Sequence, residues 1–209
     1  MSTILVLTSS ALGTASVSNR LVEETVARFR SRDPGLQVVT RDLGRDPVPH
    51  LTFDSATVLR KGEATNDAQV AALALSDALI AELKAADTVI IGAPMYNFGM
   101  PSTLKSWFDY VLRAGITFRY TESGPVGLLP GKRAIVVETR GGLYSEGPAQ
   151  VMDSQEPHLR NLLGFMGITD VTFVRAEKLA FGPEASEAAI TAARAELEQV
   201  IENRFEMAA

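Results

Sequence analysis

The feature that most constrains this chain is a regular exchange of short apolar runs for amphipathic stretches along its 209 residues. Ile4-Leu5-Val6-Leu7 reads as a buried strand, followed by a small polar loop and a helix from about Asn19. That helix carries Leu21, Val22, Val26 and Phe29 on one face and stops at Asp33-Pro34-Gly35. Gln37 to Asp42 alternates as a second strand, and Leu75, Leu79 and Leu83 line a second helix. Val89-Ile90-Ile91 is a third strand, ending abruptly at Gly92-Ala93-Pro94. A helix around Leu104 to Leu112, a strand from Ala134 to Glu138 and a helix near His158 to Met166 come next. The strand Val171 to Val174 and a last helix with Ile190, Ala193, Leu197 and Val200 complete the pattern. Gly44 to Asn66, with Pro47, Pro49 and Gly62, shows no clear period and is expected to be a long excursion, and Gly115 to Pro130 another long loop.

Five strands alternating with five helices imply a parallel sheet covered on both faces, within a single domain spanning 1–209. Right-handed crossovers leave few topologies, and the strand order 2-1-3-4-5 is the simplest. In that order the loops after strands 1 and 3 open together at a switch point, where ligands bind. Composition narrows the chemistry. The formal charge of −5 argues against nucleic acid or an anionic membrane as the main partner, since both need clustered cations. With no cysteine and only His50 and His158, neither a thiolate nucleophile nor a histidine-rich metal centre is expected. The apolar start lacks a basic flank and is too short for a signal segment, so a cytoplasmic location is expected.

The loop after the first strand, from Thr8 to Asn19, leads straight into a helix and carries Ser10, Ser16, Val17 and Ser18. Free amides and hydroxyls there suit a phosphate monoester without needing a lysine. Read alone, the loop favours the plainer reading, in which Ser18 or Asn19 only caps the helix. It matches neither G-x-x-x-x-G-K-[ST] nor G-x-G-x-x-G. After the third strand, Pro94 and Pro101 bracket Met95, Tyr96, Asn97 and Phe98, bulky groups at the mouth of the sheet that could wall a flat ring. After the fourth, Thr139-Arg140-Gly141-Gly142 lets the backbone approach a ligand closely, though by itself it is only a glycine turn.

Ala93-Pro94-Met95-Tyr96-Asn97-Phe98 resembles the signature of the FMN-dependent NADH azoreductases, which are also NADH:quinone oxidoreductases. The similarity continues through Arg113-Ala114-Gly115, Thr117-Phe118-Arg119-Tyr120-Thr121-Glu122, Arg140-Gly141-Gly142 and Gly167-Ile168-Thr169-Asp170-Val171, covering nearly the whole chain. The resemblance implies a flavodoxin-like three-layer α/β sandwich and a bound FMN reduced by NADH. Ser10, Ser16, Val17 and Ser18 would hold the phosphate, and Met95, Tyr96, Asn97 and Phe98 would lie along the isoalloxazine. Thr139, Arg140, Gly141 and Gly142 would meet its pyrimidine end, with amides or the Arg140 guanidinium offsetting negative charge there. Arg60, Phe118, Tyr120, Leu162 and Phe165 would form the substrate pocket, completed in a homodimer whose sites lie at the interface. Leu162 stands where family members often carry an aromatic side chain, so stacking of acceptors is expected to differ.

A ping-pong scheme is also implied, because donor and acceptor must use the same flavin face in turn. No side chain is nominated as an essential acid or base, although Tyr120 is a candidate proton source. The main alternative is a flavodoxin-type electron carrier, which would share the fold but not need the two long excursions. A phosphodiesterase would ask for a compact carboxylate–histidine set that the sequence lacks. Preference for NADPH over NADH is not legible, since no segment reads as a 2′-phosphate clamp. Trp107 is expected in a core or interface, and Arg28, Arg30 and Arg32 on a solvated helix end.

Overall fold

The computed structural model describes residues 2–206. Its main sheet contains β1 (Thr3–Thr8), β2 (Gln37–Asp42), β3 (Thr88–Pro94), β6 (Arg133–Thr139) and β7 (Asp170–Ala176). They run parallel in the order β2-β1-β3-β6-β7, which is the expected 2-1-3-4-5 once a separate hairpin, β4 (Phe118–Thr121) and β5 (Gly124–Gly127), is counted. The apolar runs are unbroken because both faces are covered. Leu5, Leu7, Val89, Ile91, Ala134 and Val136 point into one core, and Ile4, Val6, Ile90, Ile135 and Val137 into the other. This is the alternation that a pleated strand imposes.

Two helices close the second core. These are α1 (Val17–Arg32), through Leu21, Val22, Val26 and Phe29, and α6 (Pro183–Glu206), through Ile190, Ala193, Leu197 and Ile201. The first core takes Val58 from α2 (Phe53–Lys61) and Leu79 and Leu83 from α3 (Asp67–Ala85). It also takes Leu104, Phe108 and Val111 from α4 (Ser102–Val111), and Leu159 and Leu163 from α5 (Glu156–Phe165). Trp107 lies in this core as well, at 1% exposure.

Three expectations are corrected. The stretch 44–66 is not a plain loop, since it contains α2, started by a Thr52–Ser55 capping box and stopped by Gly62 at φ 80°. The stretch 115–130 contains the β4–β5 hairpin. Helix α1 begins at Val17 rather than near Asn19, because Ser16 is its N-cap and accepts a hydrogen bond from the Asn19 amide at 3.2 Å.

The connections position a site. The chain leaves β1 for the α1 face and β3 for the α4 face, so the crevice between these two loops opens at the C-terminal edge of the sheet. Gly44, just past β2, permits the close packing there: a Cβ on it would lie 2.1 Å from the Ser10 carbonyl oxygen. Among the described residues, no helix is long and apolar enough to cross a membrane.

Candidate active site

The first loop presents an anion cradle. Ser10, Ser16 and Ser18 are almost fully buried, and the Ser16 and Ser18 hydroxyls lie 3.0 Å apart at the start of α1. Among the described residues, no hydrogen bond engages the amides of Val17 and Ser18, the first of the helix. Unpaired amides at a helix N-terminus carry partial positive charge and favour an anion.

The second loop is a tight reversal. Tyr96 and Gly99 exchange backbone hydrogen bonds of 3.0 and 3.1 Å, with Asn97 at φ 49° and Phe98 at φ 69° between them. Two consecutive positive φ values describe a type I′ turn. Asparagine tolerates that conformation, but a phenylalanine there costs on the order of 1–2 kcal/mol. The turn leaves Phe98 39% exposed, its ring meeting Tyr144 edge-on at 5.9 Å. The Tyr96 hydroxyl accepts from the Ala11 amide at 3.0 Å and lies 3.3 Å from Ser10 Oγ, which binds the two loops together.

The third loop follows β6. The Arg140 amide and carbonyl are engaged by Ala176 and Leu179, while no hydrogen bond among the described residues uses the Gly141 and Gly142 amides. The Arg140 side chain is a correction to the expectation. Its guanidinium is fully enclosed, with Nη2 at 2.7 Å from Glu138 and 3.0 Å from Asp153, Nη1 at 3.2 Å from Glu177, and Nε at 3.2 Å from Gln155. Its donors are therefore spent on protein groups, three carboxylates and the Gln155 carboxamide. Glu138, Asp153, Gln155 and Glu177 were not singled out by sequence reasoning. The available signal was a glutamate ending the buried apolar run of β6 and another following that of β7.

This cluster has unequal carboxylates. Burial pushes Glu138 from its ordinary 4.5 up to about 7, since Arg140 is shared among several acids and Glu156 and Asp153 add negative charge. Its Oε1 has no hydrogen-bond partner among the described residues. Burial also opposes ionisation of Glu177, but bonds from Ser145, the Tyr144 amide and Arg140 hold it below the usual carboxylate range. The signs give a pH prediction. A carboxyl whose folded value is raised favours the folded state below 4.5, and that contribution is lost as pH rises through about 7. The Glu177 contribution acts in the opposite sense and only below its ordinary value. Wild-type stability is expected to fall by up to about 3 kcal/mol across the Glu138 window, and Glu138→Gln to flatten that fall in urea unfolding followed against pH.

A cavity of about 440 Å³ lies between α2, the end of α4 and the hairpin, lined by Leu51, Leu59, Arg60, Asp109, Phe118 and Tyr120 among others. It unites Arg60, Phe118 and Tyr120 from the sequence reading. Phe118 is buried and meets Tyr120 edge-on at 5.5 Å, and Phe165 packs behind it at 4.5 Å. Tyr120 is 72% exposed. Leu162 is half-buried against the first core and does not line this cavity. His50 pairs through Nδ1 with Ser106 Oγ of α4 at 2.9 Å.

A family model described as flavodoxin-like fold (Flavodoxin_2) matches residues 2–201. The FMN-dependent NADH:quinone oxidoreductase of Hyphomonas neptunium is 57% identical over 209 residues, covering 100% of both chains. The chain belongs to this family of flavodoxin-like oxidoreductases. Its relative of the same name from Azotobacter vinelandii is 49% identical, over 96% of this chain and 100% of that one. Among solved structures, a Bacillus anthracis azoreductase superposes with a TM-score of 0.89 at 31% identity, covering 97% of this chain and 100% of that one. The residues present fit FMN: a cradle of free amides and hydroxyls for its phosphate, a strained turn that presents an aromatic ring, and glycine amides left free at the third loop.

Proposed function

We propose that this chain is an FMN-dependent oxidoreductase that takes electrons from NADH and passes them to quinones and, with reductive cleavage, to aromatic azo compounds. The observation that carries the reading is the full-length 57% identity to a protein named for this activity. The crevice at the switch point of the sheet suits it. Ser10, Ser16, Val17 and Ser18 hold the phosphate. Met95, Tyr96, Asn97 and Phe98 flank the ring system, and Thr139 with the main chain of Arg140, Gly141 and Gly142 receives its pyrimidine end. FMN, when bound, supplies the hydride acceptance and donation that no side chain here can perform. The chain's own part is to hold the ring, exclude water with Phe98 and Tyr144, and present donors to the developing negative charge.

Arg60, Phe118 and Tyr120 form the wall against which an aromatic acceptor lies, supported from behind by Phe165. The exposed apolar side chains beside it, Phe53 at 85% and Leu51 at 43%, suit cover by a second copy of the chain in a homodimer, where Leu162 and Phe165 come near the partner's site. The reading places the activity in the cytoplasm, where NADH is held. A flavodoxin-type carrier has less use for the walled cavity that α2 and the hairpin build.

Donor and acceptor visit one site in turn, so steady-state rates at several NADH concentrations are expected to give parallel double-reciprocal lines. Converging lines would contradict the ping-pong scheme. Tyr120→Ala is expected to raise KM for a quinone by about three- to tenfold, the worth of one aromatic contact. Its exposure keeps the change in stability within about 0.5 kcal/mol, which a thermal melt checks.

A further inference from the structure

Gln155 has no exposed surface, and both ends of its carboxamide are in use. Its Nε2 donates to the Ala93 carbonyl at 2.8 Å, and its Oε1 accepts from Arg140 Nε at 3.2 Å. Ala93 is the second-last residue of β3, two positions before Met95. On its other side, Arg140 Nη1 donates to Glu177, which accepts in turn from the amides of Tyr144 and Ser145 at 2.8 and 3.1 Å. One planar side chain therefore joins the strand end that launches the 95–98 turn to the cation that organises the 140–145 loop.

The two partners need opposite things. A carbonyl requires a donor and a guanidinium requires an acceptor, and an uncharged carboxamide offers one of each. A glutamate would turn a carboxylate oxygen toward the Ala93 carbonyl and add another acid to Glu138, Asp153 and Glu177 around Arg140. A leucine would remove the acceptor of Arg140 Nε and the side-chain donor to the Ala93 carbonyl, both in a buried place. We propose that Gln155 is a positioning residue for the flavin: by tying Ala93 to Arg140 it fixes the spacing between the 95–98 turn and the Gly141–Gly142 segment. This inference rests on the function proposed above. The flavin ring is rigid, so a change in that spacing lowers its affinity and alters the polarity it meets, whereas a merely structural glutamine would affect unfolding alone.

The test compares FMN-loaded wild type, Gln155→Leu, Gln155→Met and Leu197→Ala. Leu197 lies in the other core, on α6, and serves as a destabilised control. The FMN dissociation constant is read from flavin fluorescence recovered on dilution, the visible spectrum of the bound flavin is recorded, and each variant is melted. Gln155→Leu is expected to weaken FMN binding by about tenfold or more and to shift the flavin spectrum. Leu197→Ala is expected to lose thermal stability with affinity and spectrum unchanged. Gln155→Met, unbranched and close in length, gives the same reading if the leucine variant does not fold. A glutamine variant that melts early yet binds FMN with wild-type affinity and spectrum overturns the inference. Wild type that binds no FMN overturns the proposed function itself, and the inference with it.

Discussion

Arg140→Met is expected to lower the unfolding free energy by about 3–5 kcal/mol, the cost of removing one partner from a buried ion cluster. In a chain of this size that corresponds to a fall in Tm of roughly 6–20 °C. The physical reason is asymmetry. The guanidinium has no solvent exposure and stands within 3.2 Å of Glu138, Asp153 and Glu177. Without it, three carboxylates are left close together, and among the ion pairs of the described residues only Arg175 still meets one of them, 3.6 Å from Glu138. Burial has already pushed Glu138 up to about 7, and the loss of its cation pushes it further in the same direction. The deficit is therefore expected to shrink on acidification, as the acids take up protons. Thermal melts of wild type and variant at several pH values check this, and equal melting temperatures at neutral pH would contradict it.

Ser16→Asp is expected to weaken FMN binding by about a hundredfold while leaving the fold intact. In the proposed reading, serine at this position does two jobs that the sequence could not separate. As N-cap of α1 it accepts from the Asn19 amide, and aspartate caps equally well. As part of the anion cradle, 3.0 Å from Ser18 Oγ, it shares its place with the flavin phosphate in the proposed reading. A carboxylate there satisfies the helix but opposes the phosphate, and like charges brought together cost several kcal/mol. Fluorescence titration of FMN, with a melt of each protein, distinguishes the two roles. Unchanged affinity would mean that Ser16 is a cap and nothing more.

Much of the architecture is legible because burial on both faces leaves a plain mark. The runs Ile4 to Leu7, Val89 to Ile91 and Ala134 to Val137 are apolar without interruption, and each became a strand of the main sheet. Helix α2 hides because only Ser55 and Val58 are buried along it, so no periodic stripe appears. The hairpin hides because its strands are four residues each and one contains Gly124, Pro125 and Gly127, which read as loop.

The site shows the same division. The crevice loops could be listed from the strand order, but which way each side chain turns could not. Arg140 stands beside two glycines and so looks like a ligand group. Its real partners, at 138, 153 and 177, are spread over 39 positions and meet only when β6, β7 and the loop between them are assembled. Gln155 had no local signal at all, lying next to Glu156 at the start of a surface helix. The strain at Phe98 was equally silent, since a positive φ for phenylalanine is imposed by the turn and not chosen by the residue.

The central claim is that this chain oxidises NADH on a flavin it holds itself, which separates an enzyme from an electron carrier of the same fold. The most direct test is to load the protein with FMN, remove oxygen, add one equivalent of NADH and follow the flavin spectrum. The account predicts rapid bleaching in a single two-electron step, and return of the oxidised spectrum when a quinone is added. Bound flavin that NADH leaves oxidised would contradict it and make the protein a carrier served by a separate reductase.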